Sequence, residues 1–588
     1  MRQLKYTELL RKNRELGNSL RAEAPYSAVV LSNTTVDLFK DVFEYALRSE
    51  GLNAKVEFGG YDTIVQDSAR FQDRRLVAIF WELGNLVDGL HHRAELLDDS
   101  QLEDLERRTL AEIDLVFRNL AAVPLVLMNR FTALPFAGAG QRRSRLELLA
   151  DRLNAALERG APKNARLIDL HKPLAEVGLP ASVDFRYFYS SKALYTVEFF
   201  KAYSEQVLPL ALASDGRARK ALIFDCDNTL WKGILGEDGP DGIRMGLNTP
   251  DGAVFAEIQS LALALQRRGV LLGLCSKNGA DDVDAVLKTH PDMQLRPETL
   301  AIRKVGWSDK TASLREIASE LNIGLDSLVF VDDSPFEVEL IRAQLPQVRV
   351  LQVPEKLEDY PSMLRRASAL FETLSVAAED GSKTRLYHEQ RERAVEKASF
   401  SSTEDYLASL QQRVVIHERD AALTARMSQL CQKTNQFNVT TKRYTEPEIA
   451  RLLAEPDAAV LAFAVADRFG DSGITGLCIA RLSGAEAEID TFLMSCRIIG
   501  RNIEYAVMDH LIAGFKNRRI SLVRARHVRT AKNEPTQDFF SSAGFRLVKT
   551  DGPSREFELT VADYRPRGLP YIQVAAQASP PSAPAQQL

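Results

Sequence analysis

The sequence predicts an α/β chain of three domains: two doubly wound parallel-sheet domains, then a mixed α+β domain. Three observations carry this. Apolar strand-like runs alternate with helical stretches from Ser27 to Leu170. A second alternation begins at Ala221 and runs to Val331. From Val460 to Met494, strand-like runs follow one another directly before a helix begins at Ile503. Alternation implies a parallel sheet covered by helices, and a run of strands implies antiparallel pairing.

The chain has 588 residues, long enough for several cores. Its 45% hydrophobic and 26% charged residues are those of a water-soluble globular protein. A net charge of −5 gives no reason to expect nucleic acid or an anionic membrane as partner. The cysteines Cys226, Cys275, Cys431, Cys478 and Cys496 are odd in number and lack CxxC spacing, which points to a reducing cytoplasm rather than a disulfide framework. The N-terminal MRQLKYTELLRKNRELG reads as a charged amphipathic helix, not a signal peptide. The boundaries expected are 1–216, 217–375 and 376–565, with 566–588 a disordered Pro/Ala/Ser/Gln-rich tail.

In the first region, Ser27–Leu31, Ala54–Phe58, Leu76–Phe80, Val123–Met128 and Arg166–Leu170 read as strands. Val36–Arg48 and Arg142–Arg159 read as helices. Ser32 follows the first strand, Asn129 the fourth, and Asp169 and His171 end the fifth. This layout resembles an SGNH-hydrolase-like domain. Leu-Ser-Asn stands where those hydrolases have Gly-Asp-Ser, and Asp-Leu-His is one residue short of their Asp-x-x-His. The expectation is a degenerate scaffold, because a working triad needs hydrogen-bond reach between its members.

The second region opens with ALIFDCDNTLW, an apolar strand ending at Asp225 and Asp227, followed by Thr229. In an extended segment residues i and i+2 face the same way, so both carboxylates are expected at one site, at a carboxyl strand end where α/β sheets bind ligands. Paired carboxylates there suit Mg²⁺ shared with a phosphate. KGILGEDGPDGI is long enough for a β-flap. Phe255–Arg268 reads as a helix, and Val270–Leu274 as a strand ending in Cys275, Ser276, Lys277 and Asn278. Ser308 is a plausible N-cap for the helix that carries Lys310, and Ser327–Val331 is a strand ending in Asp332 and Asp333. Type, order and spacing together resemble the four motifs of the haloacid dehalogenase superfamily. The resemblance implies Asp225 as nucleophile and metal ligand, and Asp227 as acid/base with its backbone carbonyl at the metal. It implies Ser276 and Lys310 as the phosphate-binding pair, with Thr229, Lys277 and Asn278 beside them. Asp332 and Asp333 are the remaining Mg²⁺-site carboxylates. Independently of the resemblance, a lysine and Mg²⁺ stabilise the charge on a transferring phosphoryl group.

In the third region, Asp380–Ala398 and Thr403–Gln411 read as connecting helices, and KTNQFNVTTKRY, dense in amides, as a binding segment. Val460–Ala466, Gly473–Leu482 and Ala487–Met494 read as antiparallel strands, and Ile503–Phe515 as a helix. SCRIIGRN, with Arg497, Gly500, Arg501 and Asn502, nearly matches the pyrophosphate loop of GNAT-type acetyltransferases, whose backbone N–H groups sit at a helix start. Asn502 stands where Gly or Ala is usual. That suits the pantetheine arm of a carrier protein better than free acyl-CoA. Ala531–Phe545 resembles the closing segment of the same fold.

DCDNTLW, CSKN, WSDK and VDDSP, followed by KTNQFN-TT-RY and SCR-IGR, together resemble the FkbH-like family. That resemblance implies transfer of a glyceryl group from 1,3-bisphosphoglycerate to an acyl carrier protein in polyketide-type biosynthesis. Chemistry narrows the route. Attack by Asp225 on phosphorus would release free glycerate, so loading needs a nucleophile at the carbonyl carbon, and a thiolate fits. Cys275, beside Ser276 and expected near Lys310, is the first candidate. Cys226, between the two aspartates, is expected to point into the core. Cys496 is the candidate for handing the group to the carrier arm. The alternatives are a Mg²⁺-dependent phosphatase working through a phosphoaspartate, and a carrier-binding scaffold without catalysis.

Overall fold

The computed structural model describes residues 1–2, 4–138, 142–374, 386, 389, 393, 396, 400, 402–530 and 532–577. The chain divides into two compact units. One is essentially Met1–Ser214; the other holds the second and third regions together.

In the first unit five parallel strands form one sheet: β1 (Pro25–Ser32), β2 (Asn53–Tyr61), β3 (Leu76–Phe80), β4 (Leu125–Asn129) and β5 (Ala165–Ile168), in the order β2-β1-β3-β4-β5. The inner strands β3 and β4 are apolar and buried along their length, β4 as far as Asn129, because both faces are covered. Val77, Ile79, Val126 and Met128 pack in one core cluster with Leu149 and Leu153 of the helix Arg145–Gly160. Ser144 caps that helix through a capping box with Glu147. A further long helix, Asp99–Asn119, was not anticipated.

Glu82, two residues beyond β3, is buried. It accepts a 2.7 Å hydrogen bond from Tyr195 Oη. Burial pushes its carboxyl up to about 7, against the opposing pull of Tyr195.

In the second unit, β6 (Ala221–Phe224), β7 (Leu271–Ser276), β8 (Ile302–Val305), β9 (Leu328–Asp332) and β10 (Arg349–Gln352) form a parallel sheet in the order β10-β9-β6-β7-β8. The strand β6 lies in the middle, flanked by β9 and β7. Its side chains alternate between two cores: Leu222 and Phe224 on one face, Ala221 and Ile223 on the other. The expected β-flap is instead a short helix, Leu235–Gly242, kinked at Gly239, whose base is pinned by one antiparallel bridge between Lys232 and Arg244.

The third region is a nine-stranded, mostly antiparallel sheet. Its strands are β11 (Gln412–Glu418), β12 (Phe437–Asn438), β13 (Ala458–Asp467), β14 (Gly470–Ser483), β15 (Glu486–Met494), β16 (Leu522–Val528), β17 (Arg546–Asp551), β18 (Ser554–Thr560) and β19 (Ile572–Gln577). The helix Ile503–Asn517 packs Val507, Leu511 and Phe515 on it. Part of the expected tail is therefore ordered. β19 pairs in parallel with β11 from Gln412↔Ile572 to His417↔Gln577, which satisfies the edge of β11, and Ile572 is buried. Residues 578–588 and most of the expected helix Asp380–Ala398 lie outside the described residues. No helix among the described residues is long and apolar enough to cross a membrane.

The raised Glu82 carboxyl binds a proton that the unfolded chain has released between pH 4.5 and about 7, so its contribution to stability is present below 4.5 and lost as the pH rises through about 7. On the order of 3 kcal/mol is at stake. Hydrogen exchange at β3 amides should report a lower opening free energy at pH 8 than at pH 5, with the difference reduced in Glu82→Gln.

Candidate active site

Three parallel strands deliver the candidate residues to one sheet end. β6 stops at Phe224, and the next residue, Asp225, donates its backbone N–H to Val331 of β9 at 2.9 Å. That bond holds the Asp225 carboxylate beside the end of β9, where Asp332 closes the strand with no exposed surface. From the far side of the sheet end comes Lys310, the first residue of the helix Lys310–Glu320. Asp309, not Ser308, is the N-cap, accepting from the backbone N–H of Thr311. Asp309 has the extended backbone of a residue just before a helix, and its carboxylate accepts from the first free N–H groups of the turn.

The Lys310 ammonium is 5% exposed as a residue and lies 2.7 Å from Asp332 Oδ2 and 3.2 Å from Asp225 Oδ1. Burial by itself would lower this ammonium, but Asp225 and Asp332 outweigh it and hold it above the ordinary lysine range. Burial pushes Asp225 up, opposed by Lys310 and by a hydrogen bond from Ser276. Burial and then the Asp225 charge push Asp332 up to about 6. Asp333 is raised for the same two reasons. One ammonium thus serves three carboxylates, so the cluster lacks positive charge. Asp225, Asp332 and Asp333 each bring a carboxylate oxygen within 4.8 Å of the others. A hard, all-oxygen set of this kind fits Mg²⁺.

Asp227 does not join that cluster. Its Oδ1 accepts from Trp231 Nε1 at 3.0 Å and from the Leu235 N–H at 3.0 Å, and its Oδ2 from Asn278 Nδ2 at 2.9 Å. The i, i+2 argument fails because β6 ends at Phe224 and Asn228 turns the chain with φ 49°. Asp227 instead ties the turn, the helix Leu235–Gly242 and the end of β7 together.

Cys275 also departs from expectation. Alternation along β7 sends Ser276 to the site and Cys275 into the core with Ile223, Leu314 and Phe330. Its thiol is fully buried, and burial pushes it well up despite Lys310. It is not an activated thiolate. Cys226 packs in the other core, with Leu222 and Phe255. Thr229 is buried, its Oγ1 has no hydrogen-bond partner among the described residues, and its carbonyl accepts from Tyr360 Oη. Lys277 is paired with Glu337 at 2.6 Å. Nothing in the sequence singles out Glu337, which meets Lys277 because the first turn of the helix Pro335–Gln344 faces the end of β7.

In the third region, Arg501 is spent inside the protein. It pairs with Asp467 at 2.9 Å and donates to the Arg497 carbonyl, and burial lowers it to about 10. Asn502 takes the left-handed backbone, φ 62°, and donates to Tyr571 Oη. Gly500 is exposed, and Cys496 is half-buried with its carbonyl accepting from Asn322. The KTNQFN-TT-RY segment is largely structural: Arg443 donates to the carbonyls of Cys431, Gln432 and Thr434, and Lys442 and Tyr444 both bond Asp490. Its β12 portion pairs with β15 where β15 has parted from β16.

In the first unit, Ser32 on β1 and His171 beyond β5 are separated by β3 and β4, about 14 Å of sheet. Asp169 and His171 line a cavity of about 310 Å³ with Thr132, whose Oγ1 is 2.9 Å from His171 Nε2. Asn129 Oδ1 is taken by Tyr203 Oη at 2.7 Å. These groups do not form a triad.

No protein-family profile and no curated protein matches the chain. Among solved structures, it resembles the N-terminal part of the protein BF1531 from Bacteroides fragilis, described as containing a phosphatase domain complexed with Mg. The identity is 24%, over 63% of this chain and 100% of that one, with a TM-score of 0.56. The two share a fold. A ribosomal-protein-S18-alanine N-acetyltransferase from Escherichia coli aligns over 25% of this chain and 94% of its own, at 14% identity and a TM-score of 0.21.

Four of the five cysteines are buried and Cys496 is not. Brief iodoacetamide treatment of the native protein should therefore add one label, by intact mass, that disappears in Cys496→Ser; labelling of Cys275 would contradict its burial.

Proposed function

We propose that the chain is a Mg²⁺-dependent phosphoryl-transfer enzyme of the haloacid dehalogenase type, acting through Asp225 on a small phosphorylated metabolite. The observation that carries this reading is the buried Asp225 carboxylate, held by Lys310 and Ser276 with Asp332 and Asp333 alongside, while the neighbouring thiols Cys226 and Cys275 point into the cores. Asp225, Asp332 and Asp333 would hold the cation, which when bound neutralises phosphoryl oxygens. An Asp225 oxygen attacks phosphorus, the bond from phosphorus to the leaving oxygen breaks with its electron pair going to that oxygen, which takes a proton from water, and a phosphoaspartate remains. Lys310 and Ser276 bind the phosphoryl oxygens during the step. A water then attacks phosphorus and releases inorganic phosphate, regenerating the carboxylate.

A second reading is the FkbH-like one, glyceryl transfer from 1,3-bisphosphoglycerate to an acyl carrier protein. Asp227 favours it. Its carboxylate is engaged by Trp231, Leu235 and Asn278, and an acyl phosphate needs no proton donor, because its phosphate leaves as an anion. Since Cys275 is buried, the acyl carrier in this reading is Cys496.

Incubation with Mg²⁺ and 1,3-bisphosphoglycerate, followed by intact-mass measurement, separates the two. The first reading expects a phosphoryl adduct that is lost in Asp225→Asn, with turnover lowered by about 10³ or more. A glyceryl adduct lost in Cys496→Ser transfers the case to the second. Phosphate release unaffected by Asp225→Asn sinks the first.

A further inference from the structure

In the domain built on β6 to β10, the exposed large apolar side chains among the described residues are Ile234, Leu247, Trp307 and Phe336. All four lie in segments that follow the carboxyl end of a strand, the end that carries Asp225. Singly scattered apolar residues on a surface need no explanation, but confinement to the functional end does. Trp307 is 80% exposed and Phe336 71%, whereas Trp81 and Trp231 are buried.

The two aromatic residues are chain neighbours of phosphoryl-site groups on two different βα turns. Trp307 lies just beyond β8 and runs into Asp309 and Lys310, the N-cap and first residue of the next helix. Phe336 lies just beyond β9, between the Asp332–Asp333 pair and Glu337, and Glu337 holds Lys277 from the end of β7. Their backbone positions are therefore set by residues of the site itself. The inner site is polar and suits an anionic head, with Lys310 and Ser276 facing Asp225. Its surround offers apolar and π surface.

We infer that Trp307 and Phe336 form the substrate-binding lip of this site, and that they select a phosphate ester or anhydride whose organic part is aromatic or apolar. The inference rests on the phosphoryl-site reading above but departs from a three-carbon polar donor, which has little apolar surface to lay against the lip. With the phosphoryl group drawn inward to Lys310, the organic part projects outward over the two rings. There it gains area burial and ring stacking that a polar group does not.

Calorimetric titration of the full chain with Mg²⁺ compares phenylphosphonate and methylphosphonate, which share a head group and resist hydrolysis. The expected result is at least about tenfold tighter binding of phenylphosphonate, with the preference falling below about threefold in Trp307→Ala and in Phe336→Ala and largely restored in Trp307→Phe. Quenching of the exposed tryptophan emission by phenylphosphonate should disappear in Trp307→Phe. Equal affinity for the two ligands, or a preference that survives both alanine substitutions, overturns the lip. Binding of neither ligand, or binding indifferent to Lys310→Met, overturns the phosphoryl-site reading beneath it.

Discussion

A buried ammonium between two buried carboxylates is the constraint on which the second unit depends. Lys310 reaches Asp225 and Asp332 from a helix, while the two aspartates end adjacent strands. Charges taken out of water need partners, and a site that removes one partner leaves the other uncompensated. The sheet order follows from this requirement. β6 and β9 must be neighbours to bring the carboxylates together, and the helix after β8 must start near that end to deliver the lysine. A negative balance remains, and it is what suits the cluster to a divalent cation.

Around that cluster, polar groups that read alike in sequence take separate tasks. Ser276 and Cys275 are neighbours on β7, yet one meets Asp225 and the other the core. Asp225 and Asp227 are close in the chain, yet one belongs to the charged cluster and the other fastens the turn after β6 to Trp231, Leu235 and Asn278. Pleat direction decides the first case and the end of the strand decides the second. The first turns the candidate thiol into packing, and the second gives the Asp227 carboxylate a fastening role.

Much of the architecture was legible because apolar periodicity reports burial directly. The five strands of the first unit and the central β6, β7 and β9 appear where the sequence predicts them, with ends moved by at most three residues. Strands of mixed composition, such as β8 with Arg303 and Lys304, and β16 with Arg524 and Arg526, were not legible. Their charged residues pair across neighbouring elements, as Arg303 does with Asp284 and Arg524 with Glu486. The candidate site was legible as a set of residue types at strand ends. Glu337 was not, because its relation to Lys277 crosses from one βα turn to another.

The sequence by itself determined that three polar strand ends and a lysine belong to one α/β unit, since residue type, order and spacing are local properties that the strand–helix alternation brings to one sheet end. Only the tertiary structure decided which of those groups share a charge cluster, which thiols are sealed in cores, and that Arg501 and the KTNQFN segment are bound to the protein's own groups. The physical reason is that side-chain direction and desolvation arise from contacts between distant segments, and no one segment of the chain carries that information.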